Sequence, residues 1–318
     1  MGTTQTRETR DGYGEALVRL AHAHKDVVAL DCDLGRSTRA HRITEVDAAR
    51  FFDMGIAEQD MISTAAGMAK MGKTVFVNSF AVFVTGRAFD QIRQQVSLPR
   101  ANVKICGSSA GITQGADGAT HQSVVDVALM RSLPNMTVIV PADARQAEQA
   151  VEALYELKRP AYLRLSRYPT PDFVPTECDF RIGRAQVLRE GKDICLCGCG
   201  PVLINALAAA DLLGGEGFRV GVVNFHTLKP FDVETVADLV GKYRRLVSVE
   251  EHSTIGGLGS ALAEVLAERG TGTRLLRLGV ADTFGESGSA DELLAKHGLD
   301  PAGIAAAARQ LLKNSDGL

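Results

Sequence analysis

The feature that most constrains this chain is a regular alternation of short apolar, β-rich runs with amphipathic helical segments along its length. The pattern predicts an α/β fold with a doubly wound parallel sheet, because strands covered by helices on both faces carry apolar residues throughout. In the first half of the chain the predicted helices are 58–70 and 144–157, the second capped by Asp143. The predicted strands there are 27–31, 51–54, 74–78, 103–106, 137–140 and 161–165.

A cluster of prolines interrupts this alternation: four of the ten fall between residues 160 and 175. Proline fixes φ and lacks a backbone donor, so the stretch 168–175 is predicted to be neither helix nor central strand. The alternation then resumes, with predicted strands 194–197, 219–223, 246–249 and 275–278 and predicted helices 202–213, 257–268 and 304–312. We therefore predict a doubly wound domain over 1–170, a linker over 171–185 and a smaller α/β domain over 186–318.

Charge and hydropathy exclude several classes of protein. The 318 residues include 35 Lys and Arg against 38 Asp and Glu, so nucleic acid is not expected as the main partner. No apolar run approaches the roughly 18 residues that a membrane helix needs, so no membrane association is expected. The first eight residues lack the apolar segment of an export signal.

The six cysteines are predicted to be ordinary buried thiols. They form no CxxC pair and lie near no histidine cluster, so no zinc site is expected. Cys195, Cys197 and Cys199 alternate along one predicted strand and are interpreted as small core residues. Reduced thiols without an export signal predict a cytoplasmic protein.

Candidate functional residues follow the predicted strands, where doubly wound sheets bind ligands. Glu58 opens an apolar helix directly after a strand. Taken alone, it fits a first-turn glutamate favoured by the helix dipole, whereas in an apolar crevice it would serve proton transfer. Phe80 and Phe83, taken alone, fit core packing, but they would also form a stacking surface for a flat heterocycle.

A glycine-rich loop over 110–122 is the candidate that stands best on its own residues. It carries Asp117 and His121 four residues apart, and its glycines permit close approach of the backbone to a ligand. Two further loops hold Arg10 with Asp33 and Ser37, and Arg167 at the end of a strand. An arginine there would bind an anion through two hydrogen bonds, although each one alone also fits an ordinary surface arginine.

Taken in order, these segments resemble the C-terminal half of the transketolase family of thiamine diphosphate enzymes, and the resemblance covers essentially the whole chain. Residues 55–59 (GIAEQ) resemble the family's G-I-x-E-H/Q, and residues 80–83 (FAVF) resemble its F-x-x-F. Residues 115–122 (GADGATHQ) resemble G-x-D-G-P-T-H-Q, with Ala119 where proline is usual. Residues 131–135 (RSLPN), 141–143 (PAD) and 165–167 (LSR) also match in order and spacing.

The resemblance implies a pyrimidine-binding domain followed by a transketolase C-terminal-like domain. Within it, Glu58 would hydrogen-bond a ring nitrogen of the cofactor's aminopyrimidine and so promote removal of the thiazolium proton. Phe80 and Phe83 would stack around the pyrimidine, and Asp33 would lie where the cofactor meets a second subunit. The cofactor carries the organic chemistry, and the protein supplies the proton relay and water exclusion.

The resemblance also implies substrate contacts. Asp117 and His121 would contact sugar hydroxyls near the scissile carbon bond, and His121 would act in catalysis. Arg10, Ser37 and Arg167 match the family's contacts to the substrate phosphate. The expected activity is transfer of a two-carbon ketol unit from a ketose to an aldose.

The sequence departs from the family pattern in two ways. Gln59 replaces the usual histidine, Gly86 the frequent tyrosine, and Gly107-Ser-Ser109 a loop that often carries a phosphate-facing histidine. These changes leave the donor open, as a sugar phosphate or another anionic sugar. In addition, the G-D-G…N motif that holds the diphosphate through a metal ion is missing.

We therefore expect a split enzyme, inactive as this chain alone. An N-terminal-type transketolase subunit with the G-D-G…N motif would bind the diphosphate and the Mg²⁺ or Ca²⁺, in an α₂β₂ assembly. The alternatives are the β subunit of a 2-oxo acid dehydrogenase and a 1-deoxyxylulose-phosphate-synthase-like enzyme. Outside this superfamily, the alternatives are a non-catalytic α/β module and a Rossmann dehydrogenase; the dehydrogenase is disfavoured because residues 256–259 (GGLG) lack its third spaced glycine.

Overall fold

The computed structural model describes residues 5–313. Residues 1–4 and 314–318 lie outside this range, and with them the start of the N-terminal sequence and the outer ends of the two predicted domains. The first half of the chain forms strands β1 to β6 (Val27–Asp31, Phe51–Asp53, Thr74–Phe80, Val103–Ser108, Thr137–Ile139, Ala161–Arg164). Its helices α1 to α6 are Thr9–Ala23, Gly35–Thr38, Glu58–Lys70, Phe89–Gln91, Asp126–Ser132 and Ala144–Glu156.

The second half forms strands β7 to β12 (Gln186–Arg189, Ile194–Gly198, Val220–Asn224, Thr227–Lys229, Arg245–Ser253, Arg274–Val280). Its helices α7 to α11 are Leu203–Gly215, Val233–Lys242, Leu258–Glu268, Ala290–Lys296 and Pro301–Lys313. None of the helices among residues 5–313 has the length and apolar character needed to cross a bilayer.

The first sheet has the order β10-β5-β6-β4-β3-β1-β2, and all its strands run parallel except β10. All seven residues of the inner strand β3 are buried, in keeping with its apolar run Val75–Val77 and with helices on both faces of the sheet. Helices α1 and α6 pack on one face through Leu17 and Val151, while α3 packs on the other through Met61 and Ile62. The predicted doubly wound parallel sheet is therefore confirmed.

The edge strand β10 comes from the second half of the chain. Thr227 and Lys229 pair antiparallel with Ile139 and Val138 of β5. The Lys229 ammonium also donates to the carbonyls of Arg131 and Leu133, at 2.7 and 2.6 Å. The first sheet is thus not built from residues 1–170 alone, and the two halves share one hydrophobic cluster.

The second sheet has the order β12-β11-β8-β9-β7, with β7 antiparallel to β9. Helices α7 and α11 pack on one face, and α8 and α9 on the other. Cys195, Cys197 and Cys199 are buried and unbridged, as the alternating pattern predicted. Between the two halves, residues 171–185 form neither helix nor strand.

Asp143 connects this intervening segment to the first half. One carboxylate oxygen accepts from the backbone N–H of Gln146 at 2.8 Å, which confirms the predicted helix cap. The other oxygen accepts from the N–H groups of Phe173 and Val174, at 2.9 and 2.8 Å. One carboxylate therefore both starts α6 and holds the segment against it.

Candidate active site at the carboxyl ends of the first sheet

Glu58 is the first residue of α3 and lies in the interior, with 1% of its surface exposed. The chain turns from β2 into this helix at Gly55, whose φ of +67° is left-handed and favours glycine. The Glu58 carboxylate accepts from the Ser79 hydroxyl on Oε1 at 3.1 Å and from Arg87 Nη1 on Oε2 at 2.6 Å. A buried negative charge is thus held by donors from two neighbouring elements.

Three rings assemble beside this carboxylate. The rings of Phe80 and Phe83 lie 6.0 Å apart between centroids with 15° between their planes. The His121 ring meets both edge-on, at 5.3 Å from Phe83 and 6.2 Å from Phe80. The Arg87 guanidinium lies 4.9 Å from the Phe83 centroid and so joins the rings to Glu58. The structure therefore brings Glu58, both phenylalanines and His121 into one group, which we call the carboxylate–aromatic group.

The loop that carries Asp117 and His121 packs against the second half of the chain. Glu251 Oε1 accepts from the backbone N–H and the hydroxyl of Thr113, at 2.5 and 2.6 Å. At Gly111 a Cβ would lie 2.1 Å from the same oxygen, and at Gly118 one would lie 2.6 Å from the Ser287 hydroxyl. The glycines of this loop thus permit its close packing against the second half of the chain.

The predicted anion-binding residues form two adjacent pairs. Arg10 donates to the Ser37 carbonyl at 2.8 Å and is also ion-paired with Glu8. Arg167 is paired with Asp117 at 3.2 Å. The two pairs are linked through Ser166, whose N–H donates to the Thr9 hydroxyl at 2.7 Å and whose carbonyl accepts from that hydroxyl at 3.2 Å.

Asp33 and Ser37 line a surface cavity of about 440 Å³ beyond the end of β1. Asp31, the last residue of β1, stabilises this loop. Its carboxylate accepts from the Leu34 N–H and the Thr38 hydroxyl, each at 2.6 Å. Burial raises the pKa of Asp31 to about 7 despite these hydrogen bonds. Asp33 itself has a left-handed φ of +60°, and its N–H donates to Asp53 at 3.1 Å.

A second polar group lies between the two sheets. We call Asp126, Arg164, Glu250, Glu251 and His252 the interdomain cluster; all five are buried. Arg164 donates to the Asp126 carboxylate at 2.8 Å and to the Glu251 carbonyl at 2.9 Å. Glu250 accepts from the N–H groups at the start of α9, and His252 Nε2 accepts from a backbone N–H of α5 at 3.3 Å. The cluster joins the two halves of the chain directly behind the glycine-rich loop.

Sequence reasoning missed Glu8, Ser79, Arg87 and Glu251 as neighbours of the site. Arg87 had a weak signal, because it follows Phe83 in the same segment, four residues on. Ser79 and Glu8 had a similarly weak signal, since they lie next to Phe80 and two residues before Arg10, whereas Glu251 had none, because its role depends on a contact with the distant Thr113. Across residues 5–313, no group of three or more His, Cys, Asp or Glu side chains is placed to hold a metal ion.

The chain matches two family descriptions in succession. Residues 5–171 match "Transketolase, pyrimidine binding domain", and residues 183–304 match "Transketolase, C-terminal domain". The chain belongs to the transketolase family. Its predicted resemblance and fold class are therefore confirmed.

Individual relatives place this transketolase-family chain more closely. A putative transketolase C-terminal section of Methanocaldococcus jannaschii is 43% identical over 301 residues, which cover 93% of each chain. The 6-deoxy-6-sulfo-D-fructose transketolase subunit SqwH of Clostridium sp. strain MSTE9 is 40% identical over 307 residues, covering 96% of this chain and 95% of the relative. A solved structure described as "Split gene transketolase, inactive beta4 tetramer" is 40% identical with a TM-score of 0.88, covering 98% of this chain and 100% of the other.

Membership of the family implies dependence on thiamine diphosphate. The carboxylate–aromatic group fits the aminopyrimidine of that cofactor. Glu58 is a buried acceptor for a ring N–H, and the near-parallel rings of Phe80 and Phe83 offer flat apolar faces. This part of the cofactor therefore has a chemically suitable place in the chain.

Proposed function

We propose that this chain is the pyrimidine-binding subunit of a two-chain transketolase, which moves a two-carbon ketol unit from an anionic ketose to an aldose. The observation that carries the proposal is Glu58, buried to 1% exposure at the start of α3 and grouped with two phenylalanines and His121. A carboxylate in such a place needs a reason, because burying a charge is costly even when, as here, an arginine and a hydroxyl compensate it.

When bound, thiamine diphosphate supplies the carbon nucleophile that takes up the ketol unit. The chain's own residues have separate tasks. Glu58 holds or moves a proton at its Oε2, the oxygen that accepts from Arg87 in this structure. Phe80 and Phe83 position the pyrimidine ring and exclude water around it. His121, edge-on to both rings, orients substrate hydroxyls and moves a proton there, with Asp117 on the same loop.

We propose an anionic substrate because two arginines lie near the carboxylate–aromatic group. Arg10, beside Ser37, and Arg167 lie on segments that are hydrogen-bonded to each other through Ser166 and Thr9. Two arginines on adjacent segments suit a phosphate or sulfonate at the far end of a sugar. The relative SqwH is named for a sulfonated fructose, which supports an anionic tail without fixing which one.

A second subunit is proposed to complete the enzyme. The family's G-D-G…N motif is missing from the sequence, so an N-terminal-type transketolase chain would hold the diphosphate and its Mg²⁺ or Ca²⁺. The similar split-gene structure is described as an inactive β4 tetramer, which supports a chain that needs such a partner. We propose an α₂β₂ assembly, with Asp33 and the cavity beside it facing the partner.

Reconstitution tests this proposal. The chain is combined with a candidate partner that carries G-D-G…N, thiamine diphosphate, a divalent metal ion and a panel of phosphorylated and sulfonated ketoses with an aldose acceptor. We expect ketol transfer from the pair and none from either chain alone. Carbon dioxide release from a 2-oxo acid without ketol transfer would contradict the proposal and favour a dehydrogenase subunit, and turnover by this chain alone would contradict the split enzyme.

A further inference from the structure

Arg87 lies where its role is not explained by folding alone. It ends a wide, π-helical turn over Phe83–Arg87, and its side chain remains 45% exposed. Its Nη1 nevertheless reaches inward to the buried Glu58 carboxylate at 2.6 Å, and its guanidinium carbon lies 4.9 Å from the centre of the Phe83 ring. One half-exposed cation thus contacts both the proton-relay carboxylate and the proposed stacking surface.

The guanidinium has the three properties that the proposed ligand of this pocket would have. It is flat, it donates an N–H to Glu58, and it stacks on the face of Phe83. An aminopyrimidine that hydrogen-bonds Glu58 and stacks on the same ring needs the same space. We propose that Arg87 is an internal competitor, which occupies the aminopyrimidine place until the cofactor displaces it; this inference rests on the proposed function.

There is a physical reason for Arg87 to pair with Glu58 in the chain without cofactor. With Arg87 removed, the hydroxyl of Ser79 is the remaining side-chain donor to Glu58 among the described hydrogen bonds. A single neutral donor at 3.1 Å compensates a buried carboxylate poorly. Arg87 therefore compensates and orients the buried carboxylate in the chain before the cofactor arrives.

The Arg87 side chain can also be displaced from Glu58. Its backbone is fixed, because the Gln59 side-chain amide donates to the Arg87 carbonyl at 3.0 Å. Its side chain is 45% exposed and so already borders solvent, into which it can rotate. Displacement then needs rotation of one side chain and no movement of α3 or the π-helical turn.

The size of the effect follows from competition. When an internal group fills a site most of the time, the apparent Kd of the ligand rises by the inverse of the free fraction. Ion-paired occupancy of about nine-tenths raises the apparent Kd about tenfold. Arg87→Met retains an unbranched side chain beside Phe83 but cannot pair with Glu58, so it should remove this competition.

The test compares Kd values for thiamine diphosphate in the assembled two-chain enzyme, measured by titration calorimetry at fixed metal concentration. We expect Arg87→Met to bind about tenfold more tightly than the wild type. Arg87→Lys keeps the positive charge but lacks the planar guanidinium. We expect it to bind the cofactor about threefold more tightly than the wild type. The matched control is Arg93→Met, because Arg93 is an exposed arginine on the next turn, paired with Asp90 at 2.9 Å.

A second readout uses the full chain without its partner. Because the buried Glu58 loses its charged partner, Arg87→Met should unfold at a lower urea concentration than Arg93→Met. Unchanged or weaker binding of thiamine diphosphate in both Arg87 variants overturns the inference. If the wild-type pair binds the cofactor in that case, the proposed function stands; if the wild-type pair binds no thiamine diphosphate, both fall.

Discussion

Two buried carboxylates, each paired with an arginine, serve this molecule in different ways. In the interdomain cluster, Asp126 and its partner Arg164 are both buried, with side chains 0% and 6% exposed. In the carboxylate–aromatic group, Glu58 is equally buried, but its partner Arg87 is 45% exposed. The nitrogen–oxygen distances are similar, at 2.8 and 2.6 Å.

The difference lies in how completely each arginine is held. Arg164 also donates to the carbonyls of Ser123 and Glu251, and Asp126 accepts a further hydrogen bond from Tyr162 at 2.6 Å. Such a closed network fixes two domains against each other and cannot exchange its members. The Glu58 pair has an open side, so a ligand can replace the arginine without unfolding its surroundings. We infer that the closed pair supports structure and the open pair supports chemistry.

The largest expected effect is on the closed pair. Burial alone would raise the pKa of Asp126, but the charge and hydrogen bonds of Arg164 outweigh it and hold that pKa below its usual range. Asp126→Ala leaves Arg164 buried and unpaired, so the free energy of unfolding should fall by about 3–5 kcal/mol. Asp90→Ala, in an exposed pair with Arg93, should cost under about 1 kcal/mol. Equal losses in urea unfolding would remove the distinction between the two kinds of pair.

The pH dependence of stability sharpens the same point at Glu250. Burial raises the pKa of Glu250 from its usual 4.5 to about 7, against the opposing effect of the N–H groups of Gly259 and Leu258. Below pH 4.5 both folded and unfolded chains hold this proton, and between 4.5 and 7 the unfolded chain alone releases it. Stability should therefore fall as the pH rises across this window.

Glu250→Gln removes this proton equilibrium. Between pH 4.5 and 7.5, the wild type should lose stability relative to the variant by an amount on the order of 3 kcal/mol. Urea unfolding of both proteins at the two pH values measures it. A difference between them that does not change with pH would show that the cluster is open to water.

At His121, in the carboxylate–aromatic group, substitution should change turnover rather than stability. His121→Ala should lower kcat of the reconstituted pair about 100-fold, because a positioned proton donor is lost, while the Kd for the cofactor changes little. Its unfolding free energy should stay within about 1 kcal/mol of the wild type. The matched control is His24→Ala, a histidine stacked on Tyr155 at 4.0 Å outside the site. Wild-type turnover in the His121 variant would make this residue structural.

The smallest effect is expected at the anion-binding residues. Arg167→Met should raise KM for anionic sugars about tenfold and leave KM for an uncharged ketose unchanged, since one charge-assisted contact is lost. Arg10→Met should act in the same direction, because Arg10 lies on the segment that the Thr9–Ser166 hydrogen bonds join to that of Arg167. Arg181→Met, in an exposed pair with Asp179, is the control. Equal changes for charged and uncharged substrates would refute the anion contact.

The predictable parts of the fold are those that local sequence determines. The helix over 58–70 and the cap at Asp143 came out as predicted, because apolar spacing and capping act within a few residues. Strand β10 was missed, since three residues that pair with β5 from the other half of the chain leave no periodic signal. Strand β7 was missed for a similar reason, with a single buried residue in its four.

Charged residues within strands are a second feature that the sequence did not predict correctly. The sequence predicted a strand ending at residue 249, where Glu250, Glu251 and His252 begin, but β11 continues to Ser253. Burial of this polar run is stabilised by partners from α9, Thr113 and α5. The same limit applies to the site: the motifs located Glu58 and His121, but Arg87 and Glu251 became visible through contacts.

Glu58 offers the sharpest test of the proposed cofactor site. In the reconstituted pair with bound thiamine diphosphate, exchange of the thiazolium carbon proton for deuterium is followed by NMR after acid quenching. We expect exchange at least about 100-fold slower in Glu58→Gln than in the wild type, with the control Glu264→Gln unchanged. Exchange at the wild-type rate in Glu58→Gln would contradict the role of this carboxylate and, with it, the assigned site.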